Sequence, residues 1–171
     1  NGLDYTEWDP QRDKKIAARF SWNSFDRRSV NKKRLQQLFG LPESSSPLIG
    51  MVSRLAEQKG FDLLRSVMKE LMARELQLVV LGSGEPQYEA FLSAAARTFP
   101  GKLAVKISYD DALAKLIYAG SDMFLMPSRF EPGGLGQLMA LRYGSVPVVR
   151  RCGGLAETIH NYNPVDGSGN G

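Results

Sequence analysis

Asp122-Met-Phe-Leu-Met-Pro-Ser-Arg-Phe-Glu-Pro-Gly-Gly-Leu-Gly-Gln137 is an apolar run that stops at a proline, passes through a glycine-rich turn and opens into helix-forming sequence. A buried strand followed by such a turn leaves backbone N–H groups unpaired where the helix begins, and the helix dipole adds to their pull on an anion. Gly133, Gly134 and Gly136 allow positive φ and let a ligand approach without meeting a Cβ. Glu131 is the one acid at the mouth of the turn. The stretch therefore predicts a site for a phosphate beside a hydroxyl-rich group.

Working outward, Pro47 to Val52, Leu76 to Leu81, Leu103 to Ile107 and Val146 to Val149 are further short apolar runs that read as strands, joining Met123 to Met126. Phe61 to Met72, Tyr88 to Phe99 and Ala112 to Ala119 repeat their apolar residues at three and four, as amphipathic helices do. Continuous apolar strands alternating with such helices predict an α/β fold, a parallel sheet covered on both faces with right-handed crossovers. Ligands bind such sheets beyond the carboxyl ends of the strands, where Ser53-Arg54, Gly82-Ser83 and Ser128-Arg129 fall. Upstream, Asp4 to Phe25 is polar and aromatic without a clear period, and Ser29 to Phe39 reads as a helix stopped by Gly40-Leu-Pro42.

With 171 residues, 43% hydrophobic and 23% charged, the composition is that of one ordinary globular domain. The net charge of +4 is mild, and the basic pairs are scattered among acids, which argues against a nucleic-acid-binding face and suits a small anionic ligand. Cys152 is the only cysteine, so no intrachain disulfide can form and a reducing compartment is expected. No apolar run reaches the length of a membrane span, and no membrane partner is expected. Opening at Asn1 without an initiator Met and closing on a glycine-rich loop, the chain reads as a domain excised from a longer protein.

Arg54 and Lys59, in Ser53-Arg-Leu-Ala-Glu-Gln-Lys-Gly60, flank the expected start of the helix at Phe61. Helix dipoles favour acids there, so two cations point to a bound anion; a diphosphate would use both. Gly82-Ser-Gly84 follows a strand but has Gln87 where a dinucleotide fingerprint needs glycine, and it reads as a tight strand-to-helix turn instead of an NAD site. Tyr109 stands after a strand and before a helix, where an aromatic face could stack on a base. His160 and Cys152 are single residues of their kind; they make neither a metal site nor an activated nucleophile, and no metal or other cofactor is expected. Met123, Met126 and Met139 read as core or pocket filling.

Taken together, Asn1 to Pro10, Ser53 to Gly60, Pro127 to Gln137, Arg142-Tyr-Gly-Ser-Val-Pro147 and Val149-Arg-Arg-Cys-Gly-Gly-Leu155 resemble the bacterial glycogen synthase and plant starch synthase family, in order and across the whole chain. The resemblance implies a Rossmann-like doubly wound sheet over residues 1–171. It would be the C-terminal, donor-binding half of a GT-B retaining glycosyltransferase, cut short at its C-terminal end. Such an enzyme transfers glucose from ADP-glucose to the non-reducing end of an α-1,4-glucan. The resemblance also implies that the acceptor glucan is reached through an absent N-terminal domain, that the fragment alone is inactive, and that its home is the bacterial cytoplasm or the plastid stroma. It sets Arg54 and Lys59 on the donor diphosphate, Tyr109 on the adenine, Glu131 on the glucose hydroxyls, and Gly133, Gly134, Leu135 and Gly136 around the phosphates. The family has Cys where this chain has Gly133 and Thr where it has Cys152, and the wider superfamily has a second Glu where Met139 stands. A related transferase or epimerase using a UDP-sugar, and a non-catalytic nucleotide- or glucan-binding module, remain open on the residues alone. A pyridoxal-phosphate phosphorylase is disfavoured, because Lys59 suits a diphosphate better.

Overall fold

The computed structural model describes residues 2–171, so Asn1 of the opening motif lies outside the described residues. Five strands, β1 (Leu48–Val52), β2 (Gln77–Gly82), β3 (Leu103–Ile107), β4 (Met123–Met126) and β5 (Val146–Val149), form one sheet. Between and around them run α1 (Arg28–Phe39), α2 (Phe61–Met72), α3 (Pro86–Thr98), α4 (Asp111–Gly120), α5 (Gly136–Arg142) and α6 (Gly153–Thr158). All neighbouring strands pair in parallel, in the order β3-β2-β1-β4-β5. The chain thus builds outward from β1 to β3, then returns to the other side of β1 and builds outward again. That reversal lies between β1 and β4, and sheets of this kind bind ligands in the crevice beyond the carboxyl ends of the strands at such a point.

Both faces of the sheet are covered, and the strand sequences show why. In β2, Val79 and Leu81 join one buried cluster with Leu35, Phe39, Ile117, Phe124 and Tyr143 of the α1, α4 and α5 side. Leu78 and Val80, pointing the other way, join Phe61, Leu64, Met68, Tyr88 and Leu92 of α2 and α3. A strand whose alternate side chains enter two separate cores must be apolar throughout, as β2 is. Leu78, Val79 and Val80 are fully buried, and each side chain contributes about 1.5–3 kcal/mol by leaving water.

Helix ends follow local chemistry. Gly40, at φ 66°, closes α1 with its N–H turned back to the carbonyls of Gln36 and Gln37. Asp110 caps α4 by accepting from the N–H of Leu113 at 2.9 Å. Three short elements escape the periodicity reading: 3-10 turns at Trp22–Arg27 and Glu57–Lys59, and α6. The first two are too short to carry an amphipathic period, and α6 opens on two glycines, the poorest helix formers after proline.

Residues 4–20, featureless by pattern, form a strap held by side chains. Asn31 of α1 donates to the carbonyl of Ala18 and accepts from its N–H, at 2.8 and 2.9 Å. The Tyr143 hydroxyl donates to Asp13 at 2.6 Å, and Arg142 donates to the carbonyl of Trp8 at 3.0 Å. The Trp8 ring meets Tyr118 edge-on at 5.8 Å, with the Lys115 ammonium 4.7 Å over it. Burial, first, and then the Asp13 carboxylate raise the Tyr143 hydroxyl pKa, so it stays a protonated donor.

Candidate functional site

The loop leaving β1 and the loop leaving β4 are locked together at the crevice. Gly60 ends the Glu57–Lys59 turn and begins α2 at φ 78°, and a Cβ there would fall 2.1 Å from the carbonyl oxygen of Pro127. Only glycine permits both the left-handed backbone and that approach. The N–H of Arg129 donates to the carbonyl of Gln58 at 2.9 Å, and Gln58 Nε2 donates to the carbonyl of Phe130 at 3.1 Å. On the outer side Arg129 grips Asp62, with Nε 3.0 Å from Oδ2. Hydrogen bonding to Arg129, above all, holds the Asp62 carboxyl below the usual carboxylate range.

This stitching brings Lys59 to Glu131. The Glu131 side chain is almost fully buried, and its Oε2 accepts from Lys59 Nζ at 2.5 Å and from Ser128 Oγ at 3.2 Å. Oε1 takes no hydrogen bond among the described residues and is not a sealed, orphaned atom, so it is open to a ligand hydroxyl. The two groups line a cavity of about 230 Å³ together with Arg54, Ser128, Gly134, Leu135 and Gly136, over an apolar floor that includes Met51, Met126 and Met139. Met126 and Met139 thus fill the pocket wall as their type suggests. No side chain caps α5, whose first-turn N–H groups open at the Gly134–Gly136 edge of this cavity.

A second cavity, of about 530 Å³, lies on the β2 and β3 side of the first. It runs from Ser53 and Arg54 past Leu81, Gly82, Ser83 and Gly84 to Ser108 and Tyr109, whose ring is 90% exposed. Gly82-Ser-Gly84 is the tight turn expected of it: Leu55 bridges to Gly84, and its N–H donates to the Ser83 carbonyl at 3.0 Å. Val52, Ser53 and Arg54 line both cavities. Arg54 forms no ion pair among the described residues, in contrast to Lys59 and Arg129. A charged lip thus joins an apolar, aromatic-walled recess to a recess with a carboxylate at its centre. Such a shape can hold a base, a diphosphate and a sugar in line.

The sequence reading needs three adjustments. Gly133 does not reach the cavity; it packs behind it, with its Cα 2.9 Å from where a Gly154 Cβ would stand. Of the three glycines in the turn only Gly134 has positive φ, at 41°, whereas a Cβ on Gly136 would sit tightly, 3.2 Å from Met126 Sδ and 3.3 Å from a ring carbon of Phe124. The charge of Lys59, unexplained by the helix dipole, is met within the chain by Glu131. Ser128 falls at the binding edge as its strand-end position predicts, whereas Gln58 is a polar participant that the sequence reading did not single out. Cys152 donates its thiol to the Ser128 carbonyl at 3.2 Å, behind the cavity, and His160 is exposed elsewhere. Among the described residues no group of three or more His, Cys, Asp or Glu is placed to hold a metal ion, and no helix is long and apolar enough to cross a membrane.

Residues 34–169 match the family described as Glycosyl transferases group 1. Over 171 aligned residues the chain is 49% identical to a glycogen synthase of Kosmotoga olearia, covering 100% of this chain and 36% of that protein. With a glycogen synthase of Clostridioides difficile the identity is 51% over 172 residues, again 100% of this chain and 36% of the relative. The chain therefore spans only about a third of the length of the curated relatives it matches. Among solved structures it resembles the catalytic domain of starch synthase IV from Arabidopsis thaliana, bound to ADP and acarbose, at TM-score 0.90 and 35% identity, covering 97% of this chain and 35% of that one. The C-terminal domain of a group 1 glycosyl transferase from Francisella tularensis shares the fold at TM-score 0.64 and 17% identity, covering 94% of this chain and 76% of that domain. With the family match spanning most of its length, the doubly wound sheet and the crevice at its switch point are accounted for together: the chain belongs to the Glycosyl transferases group 1 family.

Proposed function

We propose that this chain is the donor-binding half of a retaining glucosyltransferase that moves glucose from ADP-glucose to the non-reducing end of an α-1,4-glucan. The observation that carries the reading is the meeting of two cavities at Arg54, one walled by Tyr109 and the other holding Glu131. Adenine stacks on Tyr109, the diphosphate lies across Arg54 and Lys59, and glucose enters the smaller cavity with its hydroxyls on Glu131. The names of the relatives and the ADP held by the starch synthase neighbour support this assignment.

The chemistry follows from where charge develops. As the glycosidic bond of the donor breaks, positive charge grows on the sugar and negative charge on the departing diphosphate. Arg54, Lys59 and the open N–H groups at Leu135 and Gly136 stabilise the latter without having to reorganise. Glu131, anchored through Oε2, presents Oε1 to the sugar and fixes its orientation. No step requires a nucleophile from this chain. The glucan reaches the site through a facing domain in the remainder of the protein, which also excludes water, so the 171-residue chain binds donor but does not elongate glucan. The enzyme works in the bacterial cytoplasm, or in the plastid stroma of a plant. Titration calorimetry of the chain with ADP and with UDP tests the reading: saturable binding with ADP preferred is expected, and no binding of ADP, or preference for UDP, would refute it.

A further inference from the structure

Gln58 lies beside Arg54, the residue shared by the two cavities, in an adjoining recess with Ala56, Gly84 and Glu85, and its polar atoms engage separate partners. Oε1 accepts from Arg54 Nη2 at 3.3 Å, Nε2 donates to the carbonyl of Phe130 at 3.1 Å, and its main-chain carbonyl accepts from the N–H of Arg129 at 2.9 Å. Arg54 has no carboxylate partner and is exposed, and the bond to Gln58 is its one side-chain hydrogen bond among the described residues. A long guanidinium side chain left free would spread over many rotamers, and each productive contact with an anion would have to offset that entropy.

We infer that Gln58 is a positioning residue, which holds the Arg54 guanidinium at the lip shared by the two cavities and ties it to the loop that carries Glu131. This rests on the donor-site reading given above. A glutamine suits the task because its amide is acceptor and donor at once: the carbonyl end engages the cation and the NH₂ end engages the Phe130 carbonyl. It adds no negative charge beside an anion site, as a glutamate would. The Phe130 carbonyl belongs to the residue next to Glu131, so the contact sets the Arg54 side chain relative to the carboxylate as well as to the nucleotide.

A double-mutant cycle separates positioning from mere loop support. ADP affinity is measured by calorimetry on the 171-residue chain carrying Gln58→Met, Arg54→Ala, both together, and Gln58→Met with Lys59→Ala; Gln58→Ala is a second replacement should the methionine variant fold poorly. Gln58→Met should weaken ADP about fivefold, as expected for one lost hydrogen bond. Adding it to Arg54→Ala should cost nothing more than about twofold, whereas the fivefold loss should persist beside Lys59→Ala. Losses that multiply in the Arg54→Ala background, or that vanish in the Lys59→Ala background, would overturn the role of Gln58 while leaving the donor site standing. Failure of the unaltered chain to bind ADP would overturn the donor reading, and this inference with it.

Discussion

Lys59 Nζ lies 2.5 Å from Glu131 Oε2, although the two residues are 72 positions apart. The pair exists because β1 and β4 are parallel neighbours, so the loops leaving their carboxyl ends converge on one crevice. One oxygen of Glu131 is thereby committed to anchoring and the other is free, and the same cation serves both the carboxylate and any phosphate beside it. Glu131→Ala should leave ADP binding within about threefold, since no ADP contact is removed, yet weaken ADP-glucose about tenfold or more through the lost charge-assisted hydrogen bonds. Lys59→Ala should weaken both ligands, and equal losses of ADP and ADP-glucose on Glu131→Ala would show that the carboxylate does not face the sugar.

Tyr109 is 90% exposed, so its ring contributes little to the fold. Tyr109→Ala should change unfolding free energy by less than about 0.5 kcal/mol. The same substitution should weaken ADP by about 1–3 kcal/mol, the usual worth of a base stacked on an aromatic ring. Tyr109→Phe should retain the affinity. Calorimetry beside urea unfolding reads both quantities, and an unchanged ADP affinity in the alanine variant would remove Tyr109 from the site.

Gly60 is fixed by backbone and neighbour together, at φ 78° and with the Pro127 carbonyl where a Cβ would stand. Gly60→Ala should cost about 2–4 kcal/mol, because it combines left-handed strain with a backbone clash that only loop movement relieves. The shift forced on the Pro127 end should also loosen the Lys59 and Glu131 pair. Urea unfolding within about 1 kcal/mol of the parent would contradict the close approach of the two loops.

These relationships show what could be read in advance. The five strands and the span of α2, Phe61–Met72, were legible because continuous apolar runs mark the strands, an apolar period marks the helix, and turn residues such as Pro47, Gly60 and Gly82 mark their ends. Arg54, Lys59, Glu131 and Tyr109 could be picked out because charge or aromaticity at strand ends runs against local propensity. Strand order is a tertiary fact, so nothing in the local pattern reveals that Lys59 meets Glu131, or that Gln58 reaches Phe130. Gly133 was grouped with its neighbours by adjacency, yet a tight turn sends successive residues to opposite sides, and Gly133 packs against Gly154. The strap over residues 4–20 has no period because it is held by Asn31, Arg142 and Tyr143 instead of by a repeating face.

Asp62 and Arg129 make the loop junction sensitive to acid. A carboxyl whose folded pKa is depressed stabilises the fold above its unfolded value, about 3.9, and loses that contribution as pH falls through the lower folded value. Hydrogen bonding from Arg129 depresses Asp62 in this way. Asp62→Asn should therefore lower the melting temperature slightly near neutral pH, with the difference from the parent shrinking to nothing below the usual carboxylate range. The effect is small because the pair is partly exposed to solvent. A difference that grew on acidification would have the opposite sign and would contradict the assignment.

The central claim is that one donor spans both cavities, with its sugar on Glu131 and its base on Tyr109. Backbone amide chemical shifts of the isotope-labelled chain, followed through titrations with ADP and then with ADP-glucose, test it most directly. ADP should shift the amides of Arg54, Lys59, Ser83, Gly84 and Tyr109 together with the phosphate-facing Gly134, Leu135 and Gly136, and ADP-glucose should shift these together with Ser128 and Glu131. Identical maps for the two ligands, or shifts confined to residues outside these two cavities, would contradict the account.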